Sequence, residues 1–147
     1  MKRLMMIVPV IMLVFVLSSC SSDLVAIEDC EWKMQAVMSA TNDDIGDYEF
    51  VIAVGGVDEV HPEAKIIEMT LKAKDGILII EDITNGKTYN GTYKVMQKTP
   101  KGYDYEITVD GISGCATVAP TKYYSGSEVP TLPINLGEYA LYFTPNE

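Results

Sequence analysis

The sequence predicts an all-β domain, an antiparallel up-and-down meander of about eight or nine strands. Three observations carry this. Apolar and polar residues alternate with period two along most of the chain, and no window shows the 3.6-residue repeat of a long amphipathic helix. The alternating runs are linked by Asp75-Gly76, Asn85-Gly86 and Asp110-Gly111, dipeptides that accept the positive φ of tight hairpin turns. Strands joined by such turns pair as antiparallel neighbours, and closing a meander into a barrel removes its two exposed edges. Two packed sheets, a β-sandwich, are the alternative.

The elements follow in chain order. Glu31–Met38 places Trp32, Met34, Ala36 and Met38 on one side, and Tyr48–Val54 does the same with Tyr48, Phe50, Ile52 and Val54. Lys65–Lys74 sets Ile67, Met69, Leu71 and Ala73 against Glu68, Thr70, Lys72 and Lys74. Ile77–Ile80 is a continuous apolar run, consistent with a strand buried on both faces. Thr88–Met96 turns Tyr89, Tyr93 and Val95 one way, and the next run opposes Tyr103, Tyr105, Ile107 and Val109 to Asp104, Glu106, Thr108 and Asp110. Lys101-Gly102, after Pro100, predicts a slightly longer loop between them. Ile112–Ala119, Thr131–Leu136 and Glu138–Phe143 complete the meander.

The N-terminus has a different character. Met1-Lys2-Arg3 is basic, Leu4 to Leu17 is uninterruptedly apolar, and Leu17-Ser18-Ser19-Cys20 follows before the composition turns polar. A basic start, a short apolar run and small residues mark a secretory signal. The run is also shorter than the roughly 20 residues a spanning helix needs. Leu-Ser-Ser-Cys resembles the lipobox of bacterial lipoproteins, in which the cysteine is diacylglycerylated and becomes the first mature residue. The resemblance implies a signal peptide over residues 1–19, a lipidated tether over 20–30 and a folded domain over 31–147. It also implies lipid attachment at Cys20 and a place on the extracytoplasmic face of the cell membrane. Two or more acyl chains hold a protein stably where one does not.

Without the leader, 128 residues remain, one domain's worth, with nine lysines against 21 carboxylates and a charge of −12. So acidic a surface repels nucleic acid, and no nucleic-acid partner is expected. Arg3 is the sole arginine, so the mature domain has no guanidinium to clamp a phosphate or carboxylate. With Cys20 taken by lipid, Cys30 and Cys115 remain. They admit two readings: a disulfide tying the segment before the first strand to the sheet, or two separate thiols packed as small hydrophobes. A monomer is expected.

Trp32, the strand and turn from Leu71 to Gly76, and Lys87-Thr88-Tyr89-Asn90-Gly91-Thr92-Tyr93 together resemble the lipocalin-like (calycin-type) barrels of small secreted bacterial lipoproteins. The resemblance spans roughly residues 32–143 and implies a barrel able to hold a ligand. This chain departs from lipocalins proper in three respects. It has Cys30-Glu31-Trp32 where they have Gly-x-Trp, it lacks the arginine that packs on that tryptophan, and its last strand leaves no room for a C-terminal helix.

Catalytic chemistry finds little material. His61, the single histidine, stands among Asp58, Glu59 and Glu63, but one imidazole before a proline reads as a solvated loop residue, and no metal or cofactor is expected. Thr41-Asn42-Asp43-Asp44-Ile45-Gly46-Asp47 aligns poorly with a calcium loop and reads as a polar turn, with a loose surface calcium site as the alternative. Ser125-Gly126-Ser127 is not a nucleophile elbow, and Cys115 has no evident base, so an enzyme is not expected. Asn90-Gly91-Thr92 reads as turn and sheet residues rather than a glycosylation site. Two binding features stand out. The tyrosine-rich loop Thr121–Glu128, with Tyr123-Tyr124, offers contact residues to a protein or sugar. The inward aromatic and methionine residues offer a ligand lining, with Trp32, Met34, Phe50, Met69, Tyr89, Tyr93 and Tyr105 as candidates. The leading expectation is therefore a lipid-anchored binding module for an apolar small molecule or an envelope protein. The alternative is a structural or interaction protein with a filled barrel.

Overall fold

A computed structural model describes residues 24–39, 50–122 and 125–147, which form ten strands and no helix. In chain order these are β1 (Trp32–Ser39), β2 (Phe50–Val54), β3 (Lys65–Ile66), β4 (Met69–Lys74), β5 (Ile77–Asp82), β6 (Lys87–Thr99), β7 (Gly102–Val109), β8 (Ile112–Lys122), β9 (Glu128–Leu136) and β10 (Tyr139–Pro145). From β4 onward each strand pairs antiparallel with the next, and β1 closes the sheet by pairing with both β4 and β10. The result is an eight-stranded, lipocalin-like up-and-down barrel with β2 and β3 added beside β1. Closure decides between the two architectures, because a sandwich would leave β1 and β10 as separate edges.

The turns explain the connectivity. Asp75-Gly76 and Asp110-Gly111 both have positive φ at each central residue, the geometry whose twist matches flanking strands. Asn85-Gly86 differs: it closes a four-residue link between β5 and β6 rather than a two-residue one. There the Asp82 carboxylate accepts the Asn85 backbone N–H at 2.9 Å and its side-chain amide at 2.8 Å.

Sheet irregularities correct several expectations. β1 carries a bulge between Met34 and Ala36, so the inner face reads Trp32, Met34, Val37, and Ala36 and Met38 turn outward. One extra residue in a strand moves every later side chain to the other face. The run Ile77–Ile80 is not buried on both faces: Leu78 and Ile80 are inside, but Ile77 is 55% exposed, since a barrel has only one dry face. The stretch Lys65–Lys74 splits into β3, which runs parallel to β2, and β4. Where β4 ends, β2 takes its place along β1, pairing Ala36 with Val54 and Val37 with Ala53. Val95, placed inside by its periodicity, is half-exposed beside the bulge between Val95 and Gln97.

Cys30 and Cys115 are free thiols, so the disulfide reading is replaced by two separate cysteines. The reason is geometric. Cys30 precedes β1 at one end of the barrel, whereas Cys115 lies on the outer face of β8 toward the other end, with β9 and β10 between. Strand spacing alone then separates them by well over the roughly 7 Å that a disulfide tolerates between Cα atoms. Burial and the neighbouring Asp29 charge push the Cys30 thiol above its ordinary pKa.

The core fills the barrel from one end. Trp32, Phe143, Leu71, Leu132 and Ile134 are fully buried, and Ile107, Tyr105 and Val118 nearly so. Tyr93 and Tyr105 meet edge to face at 5.9 Å between centroids, a favoured aromatic geometry. The segment before β1, which includes residues expected to be tether, plugs this end. Asp29 closes a turn by accepting the Ala26 N–H at 2.7 Å, and the turn pushes Ile27 into the core with no exposed surface. Both polar groups of Ile27's backbone are then satisfied by aromatic side chains. Its N–H donates to the Tyr105 hydroxyl at 3.0 Å, and its carbonyl accepts the Trp32 Nε1–H at 2.8 Å. The Tyr93 hydroxyl donates to the Glu28 carboxylate. Burial, together with that carboxylate, pushes Tyr93 up to about 12, and burial raises Tyr105 as well.

The open mouth of the barrel as candidate functional site

At the opposite end the barrel is open. In an up-and-down meander all alternate turns fall at the same end, and this end collects the links β5–β6, β7–β8 and β9–β10 together with the C-terminal half of β1. A cavity of about 460 Å³ lies among them. Its floor and walls come from inner-face positions: Val37 of β1, Ala53 of β2, Met69 of β4, Ile80 of β5, Tyr89 of β6, Val109 of β7, Leu136 of β9 and Leu141 of β10. The lateral cause is the split partner of β1. Because β4 leaves β1 after the pair Lys33–Thr70 and β2 stands in for it, the wall flares there, and Ile67 bridges β2 and β4 by donating its N–H to the Val54 carbonyl at 2.9 Å.

The rim is apolar and exposed. Ile52, Ile112 and Tyr139 line the cavity while remaining 39%, 51% and 47% exposed. Exposed apolar groups around a concave apolar site are where a ligand gains most from leaving water. Against this background two carboxylates stand out. Asp82 is 4% exposed, and Asp110 sits on the β7–β8 turn, where it accepts the Asn90 N–H at 3.1 Å. Asp82 ends the inner-face series Leu78, Ile80, Asp82 of β5, so its carboxylate belongs to the cavity wall. Register places β6, with Tyr89 opposite Ile80, between the two acids. No lysine or histidine lines the cavity among the described residues.

Of the residues predicted to line a ligand site, the fold brings Met69 and Tyr89 to this cavity. Trp32, Met34, Tyr93 and Tyr105 point inward as expected but are consumed by the packed end of the core. Phe50 begins β2, and its side chain lies outside the described residues. The sequence reasoning missed Asp82, Asp110, Val37 and Leu136. Asp82 had no clear signal, because the apolar run Ile77–Ile80 before it hides which face is inward. Val37 had none either, because the bulge that turns it inward leaves no compositional mark.

Other candidates fare differently. His61 Nδ1 stands 2.7 Å from Asp58 Oδ2, and that hydrogen bond holds the Asp58 carboxyl below the usual carboxylate range. Glu59 and Glu63 stay exposed, and no cluster of three metal-ligating side chains occurs among the described residues. Residues 1–19, Cys20, the Thr41–Asp47 turn and Tyr123-Tyr124 lie outside the described residues. No helix among the described residues is long and apolar enough to cross a membrane. Comparison with known proteins gave no match to a family model, to a curated protein or to a solved structure.

Proposed function

We propose that this chain is a cell-envelope lipoprotein, anchored through lipid on Cys20, whose barrel mouth binds one apolar small molecule. The observation that carries the binding half is the cavity of about 460 Å³, apolar on its walls and open at its rim. Ligand sites begin at roughly 300 Å³, so the space is adequate for one small molecule. The anchor half rests on the basic start, the apolar run and Leu17-Ser18-Ser19-Cys20. The two halves agree in geometry. The chain enters the barrel at the plugged end through Ile27, so an anchor at Cys20 leaves the mouth facing away from the bilayer. The mature domain's negative charge would be repelled by anionic lipid, which makes a covalent anchor necessary for a stable membrane location.

Two experiments test this reading. Native mass spectrometry of the mature domain purified from its own host should show a co-purifying apolar adduct. An environment-sensitive apolar dye should bind the domain and be lost from Val37→Trp, which fills the mouth; undiminished dye binding by a folded Val37→Trp would overturn the assignment. For the anchor, Cys20→Ala should leave unprocessed precursor or a membrane-free domain. A processed, membrane-bound form of that variant would refute lipidation.

A further inference from the structure

We infer that the mouth selects an amphiphile with a cationic head, an alkyl or aryl ammonium compound, over a fatty acid of the same size. This rests on the reading of the mouth as a ligand site and adds the charge of its ligand. A cavity with apolar walls alone would not discriminate between head groups. This one has a carboxylate built into its wall: Asp82 occupies an inward position, is 4% exposed, and lines the space. A buried carboxylate must be held by donors, and here the donors are the Asn85 amide and backbone N–H, one to each oxygen. A carboxylate accepts about four hydrogen bonds, so capacity remains on Asp82 for a donor within the cavity.

No cation among the described residues takes that capacity. The ion pairs of the described residues are Lys72–Glu31 and His61–Asp58, neither of which lines the mouth. Lys87, the cross-strand partner of Asp82, is exposed and forms no ion pair with it among the described residues. Asp110 adds a second negative group at the rim, and Tyr89, on the strand between the two acids, offers a ring face of the kind that attracts ammonium groups. An incoming carboxylate would meet two like charges with no counter-charge on the cavity wall. An ammonium would meet complementary charge over an apolar floor.

The test compares three twelve-carbon probes on the mature domain, each below its micelle-forming concentration: dodecylammonium, dodecanol and dodecanoate. Calorimetry or dye displacement should give dodecylammonium roughly tenfold or more tighter binding than dodecanoate, the range of one charge-assisted hydrogen bond. Dodecanol should fall between them. Added salt should weaken the ammonium probe and leave dodecanol unchanged. Asp82→Asn should erase most of the preference. Asp110→Asn, at the exposed rim, should reduce it by a smaller factor, and it serves if loss of the Asn85 contacts impairs folding of the first variant. Equal affinities, or a preference for dodecanoate, would overturn the charge inference while leaving the binding site standing. Binding of none of the three would instead bring down the site itself and this inference with it.

Discussion

Replacing Tyr105 by Phe removes one oxygen atom from the plugged end of the barrel and nothing else. The ring keeps its contact with Tyr93, so no cavity opens and the packing contribution is retained. What is lost is the acceptor for the Ile27 N–H, which lies on a residue with no exposed surface and has no water to turn to. Leaving a buried donor unpaired costs about 1–3 kcal/mol, and the absence of a packing defect places this case at about 1–2 kcal/mol. For a domain of this size the melting temperature should fall by roughly 4–10 °C. Urea denaturation followed by fluorescence measures it directly. Trp32, the single tryptophan, donates its indole N–H to the same Ile27 backbone and so reports on the plug itself. Tyr103→Phe on the same strand is the control, since its ring is half-buried and its hydroxyl makes no hydrogen bond to the Ile27 backbone, whose N–H goes to Tyr105 and whose carbonyl goes to Trp32. It should stay within about 0.5 kcal/mol of the parent. Equal stability of the two variants would refute the idea that aromatic side chains pin the N-terminal segment into the barrel.

Three further outcomes are expected. Gly102→Ala should destabilise the domain by roughly 3 kcal/mol or more in the same denaturation assay, because a Cβ there would stand 1.7 Å from the Val118 carbonyl oxygen across the β7–β8 ladder. Alkaline unfolding should be linked to Tyr93. Its hydroxyl ionises near 10 when unfolded but only at about 12 when folded, so its contribution is intact below pH 10 and is lost between about 10 and 12. Tyr93→Phe should flatten that part of the pH–stability curve, and an unchanged slope would count against the assigned environment. Thiol titration of the unreduced mature domain should find Cys115 reacting quickly in the folded state, Cys30 slowly, and both after unfolding; their absence from the titration would restore the disulfide.

The antiparallel succession from β4 to β10 was legible in the sequence because it rests on local chemistry, whereas the separate β3 and the placing of β2 and β3 beside β1 were not. The inward series Met69, Leu71, Ala73 and Tyr103, Tyr105, Ile107, Val109 follow from alternation alone, and the structure buries both, with Tyr103 half-covered. The turns at Asp75-Gly76 and Asp110-Gly111 follow from the positive φ that only a few residue types accept. Alternation put six of the seven predicted lining residues on the inner face, with Phe50's side chain not described, but it misplaced Ala36, Met38 and Val95 beside the bulges.

Whether an inward residue packs or lines a space is a different question, and only the tertiary structure answers it. A strand's alternation has the same period at both ends of the barrel, so the sequence cannot distinguish Tyr93 at the plug from Tyr89 at the mouth, four residues apart on β6. The difference comes from what lies across the barrel. Ile27, carried in by a turn outside the meander, fills one end, and the departure of β4 from β1 opens the other. The β1 bulge decides a further point by turning Val37 rather than Ala36 toward the mouth cavity. The sequence by itself determined the all-β class and the faces of its regularly alternating strands such as β4 and β7, because those depend on neighbours two residues away. The fold decided closure, the plug and the mouth with its buried carboxylate, because those depend on residues that meet only when distant strands come together.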